Sequence, residues 1–269
     1  MESLKLAVIG KDVSQSDSPR IHSFIAAATG RKVDYVALSV SETEFEERIC
    51  GLFCGLDGFN VTIPYKISVI PYLVRLQGDA QIFGAVNTVK TSDKSGYNTD
   101  GSGFALMLKN GGADVKDKKV LLLGAGGAGR SAAKKLSDGG AQVFIYDKSY
   151  EKARGVAAEF KAVTALRDLS AARYYAIINA TGVGMHDTEG VSPVDGSLTE
   201  LCDTAVDLIY RPRQSKFLRI AANYGKKTIN GEAMLFYQAY FSQCIYFGIS
   251  PDEDEAKRLF AKYKEVFGQ

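Results

Sequence analysis

Lys119-Val120-Leu121-Leu122-Leu123-Gly124-Ala125-Gly126-Gly127-Ala128-Gly129-Arg130 is the stretch that decides how this chain folds. An apolar run leads into the G-x-G-x-x-G spacing of Gly124, Gly126 and Gly129, and a small-residue helical stretch follows. A second apolar run, Gln142-Val143-Phe144-Ile145-Tyr146, ends in Asp147. A strand, a glycine turn, a helix, a second strand and an acid about 20 residues beyond the glycines form the pattern of a dinucleotide site. Gly124 permits the tight turn off the strand, Gly126 lets a pyrophosphate approach the backbone, and Gly129 lets the helix lie close to the sheet. The free N–H groups at the helix start then face the phosphates. A glycine-rich turn without ligand is the plainer alternative, and the downstream acid speaks against it.

Outward from that loop the pattern keeps alternating. Upstream, Leu4–Ile9, Val33–Val40, Gly58–Thr62 and Ala85–Lys90 read as strands. Helices are expected from Ser18 (as N-cap, with Pro19 at the first helical position) to Thr29, over Glu42–Phe53, over Ile67–Leu76 with an interruption at Pro71, and from Gly103 to Lys109. Asn110-Gly111-Gly112 punctuates the change of halves. Downstream, a helix runs to Leu136, another covers Glu151–Phe160, and Tyr175–Asn179, Thr204–Asp207 and Lys227–Ile229 are short strands. Helices Glu232–Phe247 and Asp252–Val266 close the chain. Alternation of this kind predicts an α/β fold with parallel sheet, right-handed crossovers and two domains with a cleft between them.

Composition bounds the rest. The 269 residues allow one large domain or two modest ones, and 46% hydrophobic with 24% charged residues is ordinary for a globular protein. A net charge of +2 gives no reason to expect nucleic acid or a membrane surface as partner. Met1–Gly10 runs straight into a strand pattern, so no secretory leader is expected, and no apolar run approaches the ~18 residues of a membrane span. Cys50, Cys54, Cys202 and Cys244, with two histidines in all, make no zinc spacing, so no metal is expected and the cysteines read as free thiols of a reducing cytoplasm.

The N-terminal half sets polar residues at strand ends: Ser16 and Ser18 after the first, Asn60 and Thr62 at the third, Lys66 beyond Pro64, Asn87, and Asp100. Strand ends at one edge of a parallel sheet converge. Hydroxyls suit a carboxylate, and Asn, Asp and Lys suit ring hydroxyls, so a small polyhydroxylated acid fits. Taken singly, Ser18 also fits a helix cap, Asn87 and Asn98 turn formers, and Lys66 a solvated charge.

Several motifs together resemble the shikimate dehydrogenases, with their quinate/shikimate relatives, over the whole length. They are Ser16-Asp17-Ser18-Pro19-Arg20-Ile21-His22, Asn60-Val61-Thr62-Ile63-Pro64-Tyr65-Lys66, Gly84–Thr88, Gly96–Gly101, Gly124-Ala125-Gly126-Gly127-Ala128, Asn179-Ala180-Thr181, Gly184-Met185, Asp207-Leu208-Ile209-Tyr210 and Asn230–Leu235 with Gln238. The resemblance implies an N-terminal α/β substrate domain (1–101), a Rossmann-type dinucleotide domain (102–236), and C-terminal helices (237–269) packing back on the substrate domain. It implies reversible reduction of 3-dehydroshikimate to shikimate in chorismate and aromatic amino acid biosynthesis, in the cytoplasm, by a monomer or homodimer. Ser16 and Ser18 would hold the substrate carboxylate; Thr62, Asn87 and Gln238 would bond ring hydroxyls; Tyr210 would reach the substrate. Lys66 and Asp100 would be the catalytic pair, and Leu208 and Gly231 would line the nicotinamide. Free lysine titrates at about 10.4, and a neighbouring carboxylate favours its charged form, so the two are read as one proton-transfer unit.

The chain departs from the family pattern at Gln15 and Asp17, where histidine and lysine are usual, and at Ile67, where glutamate is common. Where NADP-using members carry Asn-Arg-Thr, this chain has Asp147-Lys148-Ser149. Asp147 accepts from a free ribose 2′-hydroxyl and repels a 2′-phosphate, which favours NAD over NADP. Lys148, Lys152 and Arg154 weigh the other way, as a phosphate clamp. A catabolic quinate/shikimate dehydrogenase, a non-catalytic dinucleotide sensor and a tetrahydrofolate-type dehydrogenase stand as alternatives.

Overall fold

The computed structural model describes residues 3–169 and 171–268. The chain divides into two units, Met1–Asp100 joined by Phe236–Gln269, and Gly101–Leu235. The first unit opens with β1 (Leu4–Gly10), α1 (Ser18–Ala28), β2 (Val33–Ser39), α2 (Phe45–Gly55) and β3 (Gly58–Val61). It continues through α3 (Tyr65–Ser68), β4 (Arg75–Leu76), α4 (Asp79–Phe83), β5 (Thr88–Lys90) and β6 (Ser95–Tyr97) to the first residue of α5 (Asp100–Asn110). The second unit holds β7 (Lys119–Leu123), α6 (Gly127–Asp138), β8 (Gln142–Tyr146), α7 (Tyr150–Glu159), β9 (Val163–Leu166) and β10 (Tyr174–Asn179). After these come α8 (Gly196–Glu200), β11 (Cys202–Asp207), α9 (Lys216–Asn223) and β12 (Lys227–Asn230), then α10 (Glu232–Phe247) and α11 (Glu253–Phe267).

In the second unit the six strands run parallel in the order β12-β11-β10-β7-β8-β9. This is a doubly wound sheet, and the strand order reverses between β7 and β10, where such sheets bind ligands. Val120, Leu121, Leu122 and Leu123 are buried, as a strand covered on both faces requires. Asp252 caps α11 as its sequence predicts, accepting from the N–H groups of Asp254 and Glu255.

The first unit differs from the all-parallel expectation. Its six strands lie in the order β2-β1-β3-β5-β6-β4, and β5 is antiparallel to both β3 and β6. Residues 91–94 between β5 and β6 are too few for a crossover, so the pair closes as a hairpin with Lys94 at φ 48°. The helix expected over Ile67–Leu76 breaks into α3, a 3₁₀ turn at Ile70–Tyr72 and β4, because Pro71 offers no N–H to a longer helix. Helix α2 starts later than Glu42: the Ser41 hydroxyl and N–H both bond Glu44 Oε2, at 2.5 and 3.2 Å, and fix a turn first. Helix α5 starts earlier than Gly103, at Asp100. Ser18 is not the N-cap of α1. Asp17 holds that place without a capping bond, its carboxylate meeting Arg20 at 2.8 Å, and the Ser18 hydroxyl faces Ser16 instead.

The core of the first unit is shared by its early and late segments. Leu6, Ala7, Val8 and Ile9 of β1 are buried, as are Ile21 and Ile25 of α1 and Phe236, Tyr237 and Tyr240 of α10. Phe24 meets the Tyr263 ring at 5.3 Å, and Tyr263 meets Phe236 at 5.2 Å. Each such aromatic contributes on the order of 2–3 kcal/mol of burial. A side chain at Gly58 would collide with the Tyr246 ring, so β3 and α10 lie in backbone-to-ring contact.

Candidate active site

Lys66 lies on α3, directly after the bend at Pro64, and its backbone carbonyl accepts from Val86 N–H at 2.8 Å. Its ammonium meets Asp100 Oδ2 at 2.5 Å, with the side chains 30% and 17% exposed. The pair is sheltered yet reachable from solvent. Asp100 opens α5, where the helix dipole favours a carboxylate. Its N–H is held by Asn98 Oδ1 at 3.1 Å, and Asn98 donates to the Ala85 carbonyl at 3.0 Å.

Asn87 completes this cluster. Its amide donates to Asp100 Oδ1 at 2.8 Å and to Thr99 Oγ1 at 2.9 Å, and reaches Gln238 Oε1 at 3.4 Å. Asn60 Nδ2 lies 3.1 Å from the Asn87 carbonyl and 3.2 Å from Thr88 Oγ1, while its Oδ1 accepts from Tyr35 at 2.8 Å. Burial raises the Tyr35 hydroxyl well above its ordinary range, against a hydrogen bond with Ser18. Ser18 meets Ser16 at 3.1 Å. A polar network thus runs from Tyr35 through Asn60, Thr88, Asn87 and Asp100 to Lys66, and the Ser16–Ser18 pair forms a further polar group. Thr62 stands beside it; its N–H donates to the Ile9 carbonyl at 2.8 Å.

Sequence reading missed Tyr35, Thr88, Thr99 and Ser242. Thr88 and Thr99 lie inside the quoted motifs, and Ser242 follows Gln238 by one helical turn, which is the signal that marks them. Tyr35 carries no signal beyond its inward place in β2.

In the second unit Gly124 takes φ 100°, which a side chain would strain, and a Cβ at Gly129 would overlap the Gly124 carbonyl oxygen. At Gly126 and Gly127 a Cβ would meet nothing within 4 Å, so open space lies over the start of α6. This bare, donor-rich backbone fits a dinucleotide pyrophosphate. Ala125 belongs to the same loop, and its N–H is taken by Asp147 Oδ2 at 2.8 Å. Asp147 Oδ1 accepts from Ser149 N–H at 2.9 Å, so this carboxylate braces the loop. Ala128 lies in the first turn of α6, Lys148 and Lys152 are exposed, and Arg154 is paired with Glu151 at 2.6 Å.

Asp207 is fully buried at the end of β11 and gathers Asn179 Nδ2 and Ile209 N–H at 3.0 Å each and the Ser215 hydroxyl at 2.5 Å. Burial raises its carboxyl above the usual range, against those three donors. They hold the turn that carries Leu208 and Tyr210. Gly231 N–H donates to the Ile209 carbonyl at 3.1 Å, and a Cβ at Gly231 would overlap the Leu208 carbonyl, so Leu208 and Gly231 are brought together. Tyr210 is half-buried at the end of this turn.

Family models described as the shikimate dehydrogenase substrate binding domain and as shikimate / quinate 5-dehydrogenase match residues 8–89 and 106–185. The shikimate dehydrogenase (NADP(+)) of Carboxydothermus hydrogenoformans is 36% identical over 263 residues, covering 93% of this chain and 94% of the relative. A chorismate mutase/shikimate 5-dehydrogenase fusion protein from Clostridium acetobutylicum superposes with a TM-score of 0.90 at 34% identity, with all of both chains covered. Shikimate 5-dehydrogenase of Thermus thermophilus, in complex with NADP(H) and shikimate, superposes with a TM-score of 0.86 at 33% identity, covering 96% of this chain and 99% of that one. The Carboxydothermus relative is named for NADP(+), which does not support the NAD preference read from Asp147.

Proposed function

The chain belongs to the shikimate dehydrogenase family, and from that premise we propose that it interconverts 3-dehydroshikimate and shikimate with NADP. The single observation that carries the reading is the hydrogen-bonded set Gln238–Asn87–Asp100–Lys66, which joins ring-hydroxyl partners to a proton-transfer pair.

The nicotinamide cofactor supplies or takes the hydride. In the reductive direction the ketone oxygen gains negative charge, and the Lys66 ammonium stabilises that charge and delivers a proton to it. Asp100 keeps the ammonium in place and balances its charge. Ser16 and Ser18 hold the substrate carboxylate, and Thr62, Asn87, Gln238 and Tyr210 hold its hydroxyls. Gly124, Ala125, Gly126, Gly127 and Ala128 cradle the pyrophosphate, and Leu208 and Gly231 line the nicotinamide. Lys148 and Lys152 take the 2′-phosphate. Asp147, engaged with the loop N–H groups, braces the site for them, which accords with the NADP named for the relatives. The reading places the enzyme in the cytoplasm as a monomer or homodimer; among the described residues no helix is long and apolar enough to cross a membrane.

Steady-state oxidation of shikimate and of quinate, each with NADP and with NAD, tests the proposal. Shikimate with NADP is expected to give the highest kcat/KM, by at least about tenfold over NAD, the worth of one charge-assisted phosphate contact. Equal use of quinate with NAD refutes it in favour of a catabolic role.

A further inference from the structure

Beneath Asn87 lie three buried hydroxyls, those of Thr88, Thr99 and Ser242, at most 4% exposed. Thr99 Oγ1 accepts from Asn87 Nδ2 at 2.9 Å and lies 3.1 Å from Ser242 Oγ. Ser242 Oγ lies 2.8 Å from Thr88 Oγ1, and Thr88 donates to Asn87 Oδ1 at 2.8 Å. The four side chains close a ring of hydrogen-bond contacts: Asn87 amide, Thr99, Ser242, Thr88 and back to the amide oxygen. The ring is tied to its surroundings by Asn60 Nδ2, 3.2 Å from Thr88 Oγ1 and 3.1 Å from Ser242 Oγ, and by the Gln238 carbonyl, which accepts from Ser242 Oγ at 2.8 Å.

A carboxamide has nearly the same outline when turned over, and such a ring could run in either sense. Two groups that cannot reverse choose the sense. Thr99 N–H, a fixed donor, points at Asn87 Oδ1 from 2.9 Å, and the Asp100 carboxylate accepts from Asn87 Nδ2 at 2.8 Å. Turned over, the amide would set its oxygen against the carboxylate with no hydrogen between them.

We propose that this hydroxyl ring is a positioning device for proton transfer: Thr88, Thr99 and Ser242 lock the Asn87 amide so that its N–H bears on Asp100. None of the three needs to touch substrate. They act through Asn87 on a carboxylate whose charged neighbour is Lys66, on α3; its other polar neighbours, Asn87, Asn98 and Thr99, are uncharged. Loosening the amide takes a donor from the carboxylate oxygen opposite the one that holds the Lys66 ammonium. The inference rests on the roles proposed above for Lys66 and Asp100.

Thr88→Ala and Thr88→Ser separate hydroxyl from packing, because both lose the methyl and only alanine loses the hydroxyl. Thr88→Ala is expected to lower kcat for shikimate oxidation about tenfold, a larger factor than any change in KM. Thr88→Ser is expected to stay within about twofold of the parent in both. Ser242→Ala, one bond further from Asn87, is expected to lower kcat by less. Equal losses of kcat in Thr88→Ala and Thr88→Ser, or a Thr88→Ala enzyme with the parent kcat, overturn the proposal. Asp100→Asn beside them separates the two levels. If Asp100→Asn abolishes turnover while Thr88→Ala is normal, the ring fails alone; if Asp100→Asn turns over normally, the reading of the pair fails and the ring with it.

Discussion

Replacing His22 by phenylalanine should remove most of the enzyme's sensitivity to mild acid. His22 is fully buried on α1, stacked on Tyr35 with ring centroids 4.2 Å apart, and Gln243 Nε2 lies 3.4 Å from its Nδ1. No carboxylate meets it among the contacts formed there, and burial alone pushes its pKa down to about 3 from 6.5. The folded state therefore binds the proton less readily than the unfolded chain. Stability is fully present above about pH 6.5 and is lost as pH falls toward 3, at up to about 1.4 kcal/mol per pH unit. Between pH 7.5 and pH 5.0 the difference between the two binding curves amounts to about 2 kcal/mol. That is a large share of the 5–15 kcal/mol that roughly bounds a domain's stability. Urea unfolding at a series of pH values in this window measures it, following the aromatic signals of the first unit. His22→Phe keeps a ring against Tyr35 and cannot ionise, and His22→Gln serves if the larger ring disturbs packing. Asp207, whose carboxyl is raised, contributes with the opposite sign, losing stability as pH rises, but is common to parent and variant and cancels in the comparison. The reasoning is refuted if parent and variant lose stability in parallel between pH 7.5 and 5.0.

Three further outcomes are expected. Lys66→Ala and Lys66→Gln should each lower turnover by roughly 10²–10⁴-fold while shikimate binding, followed by calorimetry, changes little; near-normal kcat in both would remove Lys66 from proton transfer. The double variant Lys148→Ala, Lys152→Ala should raise KM for NADP about tenfold and leave KM for NAD within about twofold, as loss of a charge-assisted phosphate contact predicts. Gly129→Ala drives a methyl into the Gly124 carbonyl, a backbone atom with little room to yield, and should destabilise the nucleotide unit by more than about 2 kcal/mol in a calorimetric scan.

The nucleotide unit was the more legible half of the sequence because its signals are local. The run β7–α6–β8 carries its turn glycines, its helix start and its terminal acid within one stretch, and its strands are long enough to display their apolar pattern. The strands missed, β4, β6 and β9, span two to four residues each, too few for any periodicity to register. The hairpin that turns the first sheet mixed depends on the short connection at residues 91–94, and motif reading placed Asn98 and Asp100 without seeing it. Lys66, Asp100, Asn87 and Gln238 stand out in the sequence through their motifs, and the structure brings them together in one hydrogen-bonded cluster. The hydroxyls under Asn87 do not stand out, since a buried threonine or serine looks in sequence like any other until its neighbours from distant segments are known. Asp147 shows the same limit. Its position at a strand end was read rightly, but the loop N–H groups it accepts from are visible only in three dimensions.

The first unit is interrupted in sequence by the whole of the second, and this has a consequence for biosynthesis. Translation delivers residues 1–100 first, yet Tyr246 against Gly58, Gln243 against His22 and Ser242 between Thr88 and Thr99 arrive only with the final helices. The nucleotide unit, contiguous in sequence, has all its strands once residue 230 leaves the ribosome. A nascent chain halted there has every strand of the second sheet and a first unit whose α1 and β3 still expose the surfaces meant for α10. Chaperone contact and proteolytic nicking are thus directed at the N-terminal hundred residues, and the unit whose synthesis begins first is the last to close.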